Sequence, residues 1–179
     1  MFQIFGYFLI ILYSIALLYI TVYCLMQFHL LFKYLFTNSD AVADSSQNQL
    51  TTKQPFVTIQ LPLYNEMYVA ERLIDNIVLM DYPRNLLEIQ ILDDSTDGTF
   101  DIVNSKVSQY QNQGYNIRVI RRKNREGYKA GALKEGMLYA NGEFIAIFDA
   151  DFLPDSDFLK KTLPAFNHSD IGVVQTRWS

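Results

Sequence analysis

The sequence predicts an α/β domain, a Rossmann-like, mainly parallel sheet with flanking helices, preceded by one N-terminal transmembrane helix. Three observations lead there. From residue 55 onward, short apolar runs alternate strictly with helix-length segments, the pattern of strand–helix–strand units. Those runs carry apolar side chains on both faces, as strands sandwiched between helix layers do. Ahead of them, residues 5–28 are apolar over more than the roughly 20 residues that cross a bilayer.

Within residues 1–36 the ionisable side chains, tyrosines and one cysteine aside, are His29 and Lys33. A cleaved signal peptide would show a basic start, an apolar core of about 7–15 residues and a small-residue cleavage site. None of these is visible, and a buried core helix of this length and apolarity would be unusual. Residues 1–36 are therefore assigned to a membrane anchor, with Tyr7 and Tyr34 placed as interfacial anchors. Lys33 and Lys53 follow the span and no Lys or Arg precedes it. The positive-inside rule then expects a single-pass membrane protein with its α/β domain in the cytoplasm. The lone Cys24 lies inside the span, so neither a disulfide framework nor thiol chemistry is expected.

Residues 37–54 are polar and read as a linker. The domain, residues 55–179, follows in order. A strand is expected at 56–61 and a helix at 66–80, whose apolar positions are Val69, Leu73, Ile77 and Met80. A second strand at 87–92 ends at Asp93 and Asp94; a helix at 98–111 places Phe100, Val103 and Val107 at helical spacing. Strands at 117–120 and 143–148 flank a helix at 129–139. A helix at 155–166 and a fifth strand at 171–175 complete the pattern. The net charge of −4, with a basic cluster at 118–125 that is local rather than a stripe, gives no nucleic-acid signature.

Right-handed crossovers put every strand-to-helix loop on one sheet edge, where open α/β sheets bind ligands. The loops are 62–66, 93–99, 121–129 and 149–155, and the conspicuous polar clusters fall in them. The first offers Tyr64, an aromatic face for a base, with Asn65 and Glu66; the same residues also read as a helix start. The second offers Asp93 and Asp94 as acceptors, with Ser95 and Asp97 fitting a turn and a cap. The third is a basic, glycine-containing approach to a helix N-terminus, suited to phosphates; its small residues Ala130, Gly131 and Ala132 admit a backbone or a ligand. The fourth holds Asp149 and Asp151 directly behind an apolar strand. Hard oxygen ligands of this kind suit Mg²⁺ or Mn²⁺ on a diphosphate, which the ion would neutralise as a leaving group. The competing reading is an Asp-rich turn with Asp155 and Asp157 capping the next helix. Together the loops describe a nucleotide-diphosphate site. Residues 61–66 contain no G-x-G-x-x-G turn and no Walker lysine motif occurs; a nucleotidyltransferase would share the metal logic.

The ordered stretches Pro62-Leu63-Tyr64-Asn65-Glu66, Leu92-Asp93-Asp94-Ser95-Thr96-Asp97 and Phe148-Asp149-Ala150-Asp151 resemble the signatures of family 2 glycosyltransferases of the GT-A fold. Residues 124–137 and Val174-Gln175-Thr176-Arg177-Trp178 are similar to the cellulose synthase-like branch, in particular to mannan and glucomannan synthases. The resemblance implies inverting transfer of a sugar from a UDP-glucose- or GDP-mannose-type donor to a polysaccharide or lipid acceptor. It implies donor-binding roles for Pro62, Tyr64, Glu66, Asp93, Lys129 and Asp149. Tyr64, Glu66 and Asp93 would hold the nucleoside, Lys129 would lie by the base or diphosphate, and Asp149 with Asp151 would hold the metal. The family carries its general base, a Gln-x-x-Arg-Trp motif and, in polymerising members, further membrane helices after the fifth strand, beyond Ser179. These residues alone are therefore expected to carry the donor and metal site without the acceptor base. The alternative is a non-catalytic nucleotide-sugar-binding fragment or an inactive remnant.

Overall fold

The computed structural model describes residues 2–36, 54–167 and 170–176. The chain divides into two compact units, 1–45 and 46–179. The first is a single helix, α1 (Phe2–Phe36), whose large apolar side chains are exposed along its length. Apart from Gln54, the expected linker lies outside the described residues.

The second unit is an α/β layer structure. Its four strands are β1 (Val57–Leu63), β2 (Leu87–Asp93), β3 (Ile117–Ile120) and β4 (Phe144–Ile147). They pair in the order β3-β2-β1-β4, all parallel, with Val57 opposite both Leu87 and Phe144. The helices are α2 (Ala70–Val78), α3 (Thr99–Asn112), α4 (Tyr128–Met137) and α5 (Phe158–Thr162). Each predicted element from β1 to α5 is present, β3 with the expected ends and the others with ends shifted.

The period-two alternation of β1 and β2 sorts their side chains onto two unlike faces. Val57, Ile59 and Leu61 with Ile89 and Ile91 meet Leu73, Ile74 and Ile77 of α2 and Val103 and Val107 of α3 in one apolar core. The opposite face departs from the expectation of strands apolar on both sides: Thr58, Gln60, Glu88 and Gln90 are fully buried there. These polar groups bond one another, Thr58 Oγ1 to Glu88 Oε2 at 2.8 Å and Gln60 Nε2 to Gln90 Oε1 at 3.0 Å. The Asn141 N–H reaches Glu88 at 2.9 Å, and Arg118 forms an ion pair with the same carboxylate. Burial works against the Glu88 charge, but Asn141, Thr58 and Arg118 outweigh it and hold its pKa below the ordinary value. Above this ladder sits α4, made of small residues because it lies so close. A Cβ on Gly136 would stand 2.6 Å from Gln60 Nε2 and 2.8 Å from Leu92 Cδ2.

Three element expectations need correcting. The helix expected at 66–80 begins only at Ala70, because Asn65 takes a left-handed backbone (φ 58°) and residues 67–69 turn. The helix expected at 155–166 is α-helical only over Phe158–Thr162 and tightens to a 3₁₀ turn at Leu163–Asn167. Pro164 explains the change, since it offers no N–H to continue the α-helical ladder. The fifth strand at 171–175 does not form: 171–176 carries no ladder, and Val173 is 85% exposed. Gly172, Val173 and Val174 instead line an apolar cleft of about 280 Å³ with Ile145, Ile147 and Phe166. Side-chain contact satisfies part of that apolar run, and β4 is left as an edge.

Candidate active site

At the carboxyl edge of the sheet, the geometry follows from where β4 stops. Gln60 O accepts from Phe148 N–H at 3.2 Å, so the backbones of Gln60 and, two residues on, Pro62 face β4. The β1–β4 ladder ends at Gln60 and Ile147. Pro62, which has no N–H to offer, therefore sits where a ladder bond is no longer needed, and the strands part. A cleft of about 490 Å³ opens in that gap.

All four predicted loops reach it. Pro62, Tyr64 and Glu66 come from the first, Asp94 from the second, Arg125 and Lys129 from the third and α4, and Asp149 and Asp151 from the fourth. Of the predicted donor residues, only Asp93 lies elsewhere, fully buried beneath the cleft. Alternation accounts for the difference. Asp93 shares the face of Ile89 and Ile91, whereas Asp94 follows Leu92 toward α4. Asp93 Oδ1 accepts the Ser95 N–H at 3.1 Å, and its Oδ2 lies 3.5 Å from Arg121 Nε.

Asp94 meets the fork of Arg122. Arg122 Nε donates to Oδ1 at 3.0 Å, and a terminal nitrogen of the same group reaches Oδ2. Two further guanidinium N–H groups donate to Glu126 O at 2.7 Å and Tyr128 O at 3.0 Å. The Asp94 carboxylate raises the Arg122 pKa further. One arginine thereby joins the second loop to the entry of α4, where Gly127 and Tyr128 are both left-handed (φ 70° and 49°). Gly131 completes the turn, because a Cβ there would collide with the Glu126 carbonyl oxygen and approach Arg122 to 2.5 Å. The room made by Gly131 is thus taken by backbone, whereas Ala132 lines the cleft.

Asn65 is not a helix cap. The α2 N-cap is Val69, without a side-chain bond. Asn65 instead clamps the first loop to the second, donating its N–H to Ser95 Oγ at 2.9 Å and accepting the Thr96 N–H at 2.9 Å. Asp97 does serve the start of α3, accepting the Thr99 N–H at 3.0 Å. The Thr99 bonds hold its carboxyl below the ordinary range. Asp157 flanks α5 without a cap bond and pairs with Lys161 at 2.9 Å.

Two contacts shape the cleft's charge. The Arg125 guanidinium lies 3.3 Å from the centroid of the Tyr64 ring and 5.0 Å from that of Tyr128, a cation–π stack. Lys129 Nζ forms an ion pair with Asp149 Oδ1. Asp149 and Asp151 are both exposed on the cleft. No third His, Cys, Asp or Glu joins them among the described residues. Two carboxylates fit a hard divalent ion that keeps its remaining positions for ligand oxygens and water. Arg125 is a cleft residue that the sequence reading leaves unassigned; Asp94 is offered there as an acceptor beside Asp93, and the structure puts Asp94 of the two on the cleft. Gln175 and Thr176 line a smaller neighbouring cleft of about 260 Å³ with Lys129, Asp149 and Phe152; Arg177 and Trp178 lie outside the described residues.

Glucomannan 4-beta-mannosyltransferase 1 of Oryza sativa subsp. japonica is 43% identical over 144 residues, 78% of this chain and 28% of that protein. Glucomannan 4-beta-mannosyltransferase 7 of Arabidopsis thaliana is 43% identical over 129 residues, 69% of this chain and 23% of its own. The chain thus spans about a quarter of the length of these relatives. Among solved structures, the mannosyltransferase PcManGT of Pyrobaculum calidifontis, in complex with GDP-Man and Mn²⁺, superposes with TM-score 0.58 at 36% identity. That match covers 63% of this chain and 32% of PcManGT. S. aureus TarS follows at TM-score 0.54 and 25% identity, covering 62% of this chain and 19% of its own. The family model described as glycosyl transferase family 2 matches residues 58–179, from the second residue of β1 through the last loop of the site, and on that match this chain belongs to glycosyl transferase family 2.

Proposed function

We propose that this chain supplies the donor side of an inverting sugar transfer from a nucleotide-diphosphate sugar, in the synthesis of a β-linked polysaccharide. The observation that carries the reading is the convergence of Tyr64, Lys129, Asp149 and Asp151 on one cleft at the carboxyl edge of the sheet. The names of the relatives favour a mannosyl donor, and the bound GDP-Man of PcManGT agrees. In this reading the nucleoside lies against Tyr64 and Glu66, with Asp93 shaping the loop beneath them through Ser95. Lys129 faces the diphosphate. Asp149 and Asp151 hold a divalent cation, Mn²⁺ as in PcManGT or Mg²⁺, which supplies Lewis-acid stabilisation of the leaving diphosphate. Asp94 and Arg122 set the third loop, and the cleft walls orient the donor relative to the acceptor. In this reading α1 is the membrane anchor, and Lys33 and Lys53, which follow it, favour the cytoplasmic side for the catalytic unit.

The reading is tested by calorimetric titration of the full chain in detergent with GDP and UDP, with and without Mn²⁺. The expected result is metal-dependent binding of GDP. Asp151→Ala is expected to lower metal affinity by at least about tenfold, the minimum for loss of a supporting group at a metal site. Absence of binding by either nucleotide, or unchanged metal affinity in Asp151→Ala, would overturn it.

A further inference from the structure

Lys129 occupies an unusual place in the cleft. Its ammonium does not point into open space toward a phosphate but lies on Oδ1 of Asp149, one of the two carboxylates that fit a cation. Both side chains are about half exposed, 52% and 54%. The other cations of the cleft region are engaged elsewhere: Arg122 with Asp94, and Arg125 on the Tyr64 ring. Among the described residues, Lys129 is the one cation on the acid pair.

We infer that Lys129 is a positioning residue that holds Asp149 and is handed from it to the donor diphosphate when metal and donor enter together. The inference rests on the donor-site reading above. The charges make the case. Asp149, Asp151 and Lys129 together carry one negative charge. A divalent cation alone reverses that sign and brings like charges onto one carboxylate. A doubly charged diphosphate alone triples it. The two together leave it as it was. Metal and donor are therefore each poor ligands by themselves and good ligands for the site the other has filled, which is thermodynamic coupling. Lys129 is the element that moves, since its long flexible stem lets the ammonium swing from the carboxylate to a phosphate oxygen nearby.

Two variants of the full chain in detergent test this, with melting curves to confirm folding. Binding of Mn²⁺ alone is followed by electron paramagnetic resonance, and GDP by calorimetry. Lys129→Met is expected to bind Mn²⁺ alone about tenfold more tightly and GDP in saturating Mn²⁺ about tenfold more weakly, within the usual range for coupled sites. A lysine with a merely structural role would move both affinities in the same direction, or neither. Asp149→Asn frees Lys129, and is expected to bind GDP in EDTA more tightly than the wild type does. If the wild type binds both ligands and Lys129→Met shifts both affinities the same way or leaves them unchanged, the hand-off fails and the donor site stands. If Asp149→Asn does not tighten GDP binding in EDTA, the hand-off likewise fails. If the wild type binds neither ligand, both readings fall.

Discussion

Replacing Arg122 shows what single side chains do in this protein. Its guanidinium makes a two-pronged pair with Asp94, and the side chains are only 10% and 7% exposed. It also bonds two backbone carbonyls of the third loop. Arg122→Ala leaves a nearly buried carboxylate unpaired and takes one hydrogen bond from each of two backbone carbonyls. Loss of one partner of a buried pair costs about 3–5 kcal/mol, so the urea midpoint of the variant is expected to fall by that equivalent. Arg122→Lys should recover little, because an ammonium cannot match the fork. A cost below about 1 kcal/mol, the usual value of an exposed pair, would show that the pair does not organise the loop. The neighbouring acids illustrate what was legible beforehand. Asp149, Asp151 and Lys129 stand in loops whose side of the sheet follows from strand order alone, so their meeting was readable in the sequence. Which of Asp93 and Asp94 faces the cleft depends on the phase of β2 relative to two unlike helix layers. That phase becomes visible only once those layers are in place.

At the scale of elements, the same limit appears in the polar ladder between β1, β2 and α4. Strands 57–61 and 87–91 are expected to be apolar on both faces, as strands sandwiched between helices are, yet one face carries Thr58, Gln60, Glu88 and Gln90, all fully buried. What closes that face is a small-residue helix, and the tightness of the closure is a tertiary fact. The fifth strand failed for the converse reason. Three β-branched residues in a run of five, Ile171, Val173 and Val174, carry no information about a pairing partner, and the exposed β4 edge did not take them. The ladder makes stability depend on acidity. The folded pKa of Glu88 lies below its unfolded value, so its contribution is complete above the ordinary glutamate pKa of about 4.3 and is lost as pH falls through the folded value. Glu88→Gln removes the charge that Arg118 and Asn141 hold. It is expected to destabilise the protein at neutral pH by about 1.5–3 kcal/mol, the worth of hydrogen bonds to a charged group. The gap to the wild type should close below pH 4 in urea titrations run across pH. A gap independent of pH would mean that the charge contributes nothing and only shape matters.

For the whole molecule, the decisive physical fact is the mismatch between α1 and water. The apolar helix stretch Gln3–Phe36 spans 34 residues, and none of its most apolar part is buried. Exposed apolar surface on that scale is uncharacteristic of soluble monomers, whereas a bilayer removes it from water. At 1.5 Å per residue the helix is about 50 Å long, against a hydrocarbon core of about 30 Å. It must therefore tilt or project, and Lys33 and Tyr34 near its end are the groups suited to the headgroup layer. An arginine near the middle of the span, as in Leu18→Arg, should cost about 2.5–3.5 kcal/mol of insertion free energy, whereas one at Phe36 should cost little. The measurement is alkaline carbonate extraction of the full chain made with microsomes. The wild type and Phe36→Arg are expected to stay in the membrane pellet, and Leu18→Arg to pass substantially into the supernatant. Mass analysis of the pelleted wild type should show the N-terminal residues still attached. A wild type that extracts freely, or one shortened within residues 1–36, would rule out the anchor and with it the placement of the sugar-transfer unit at a membrane surface.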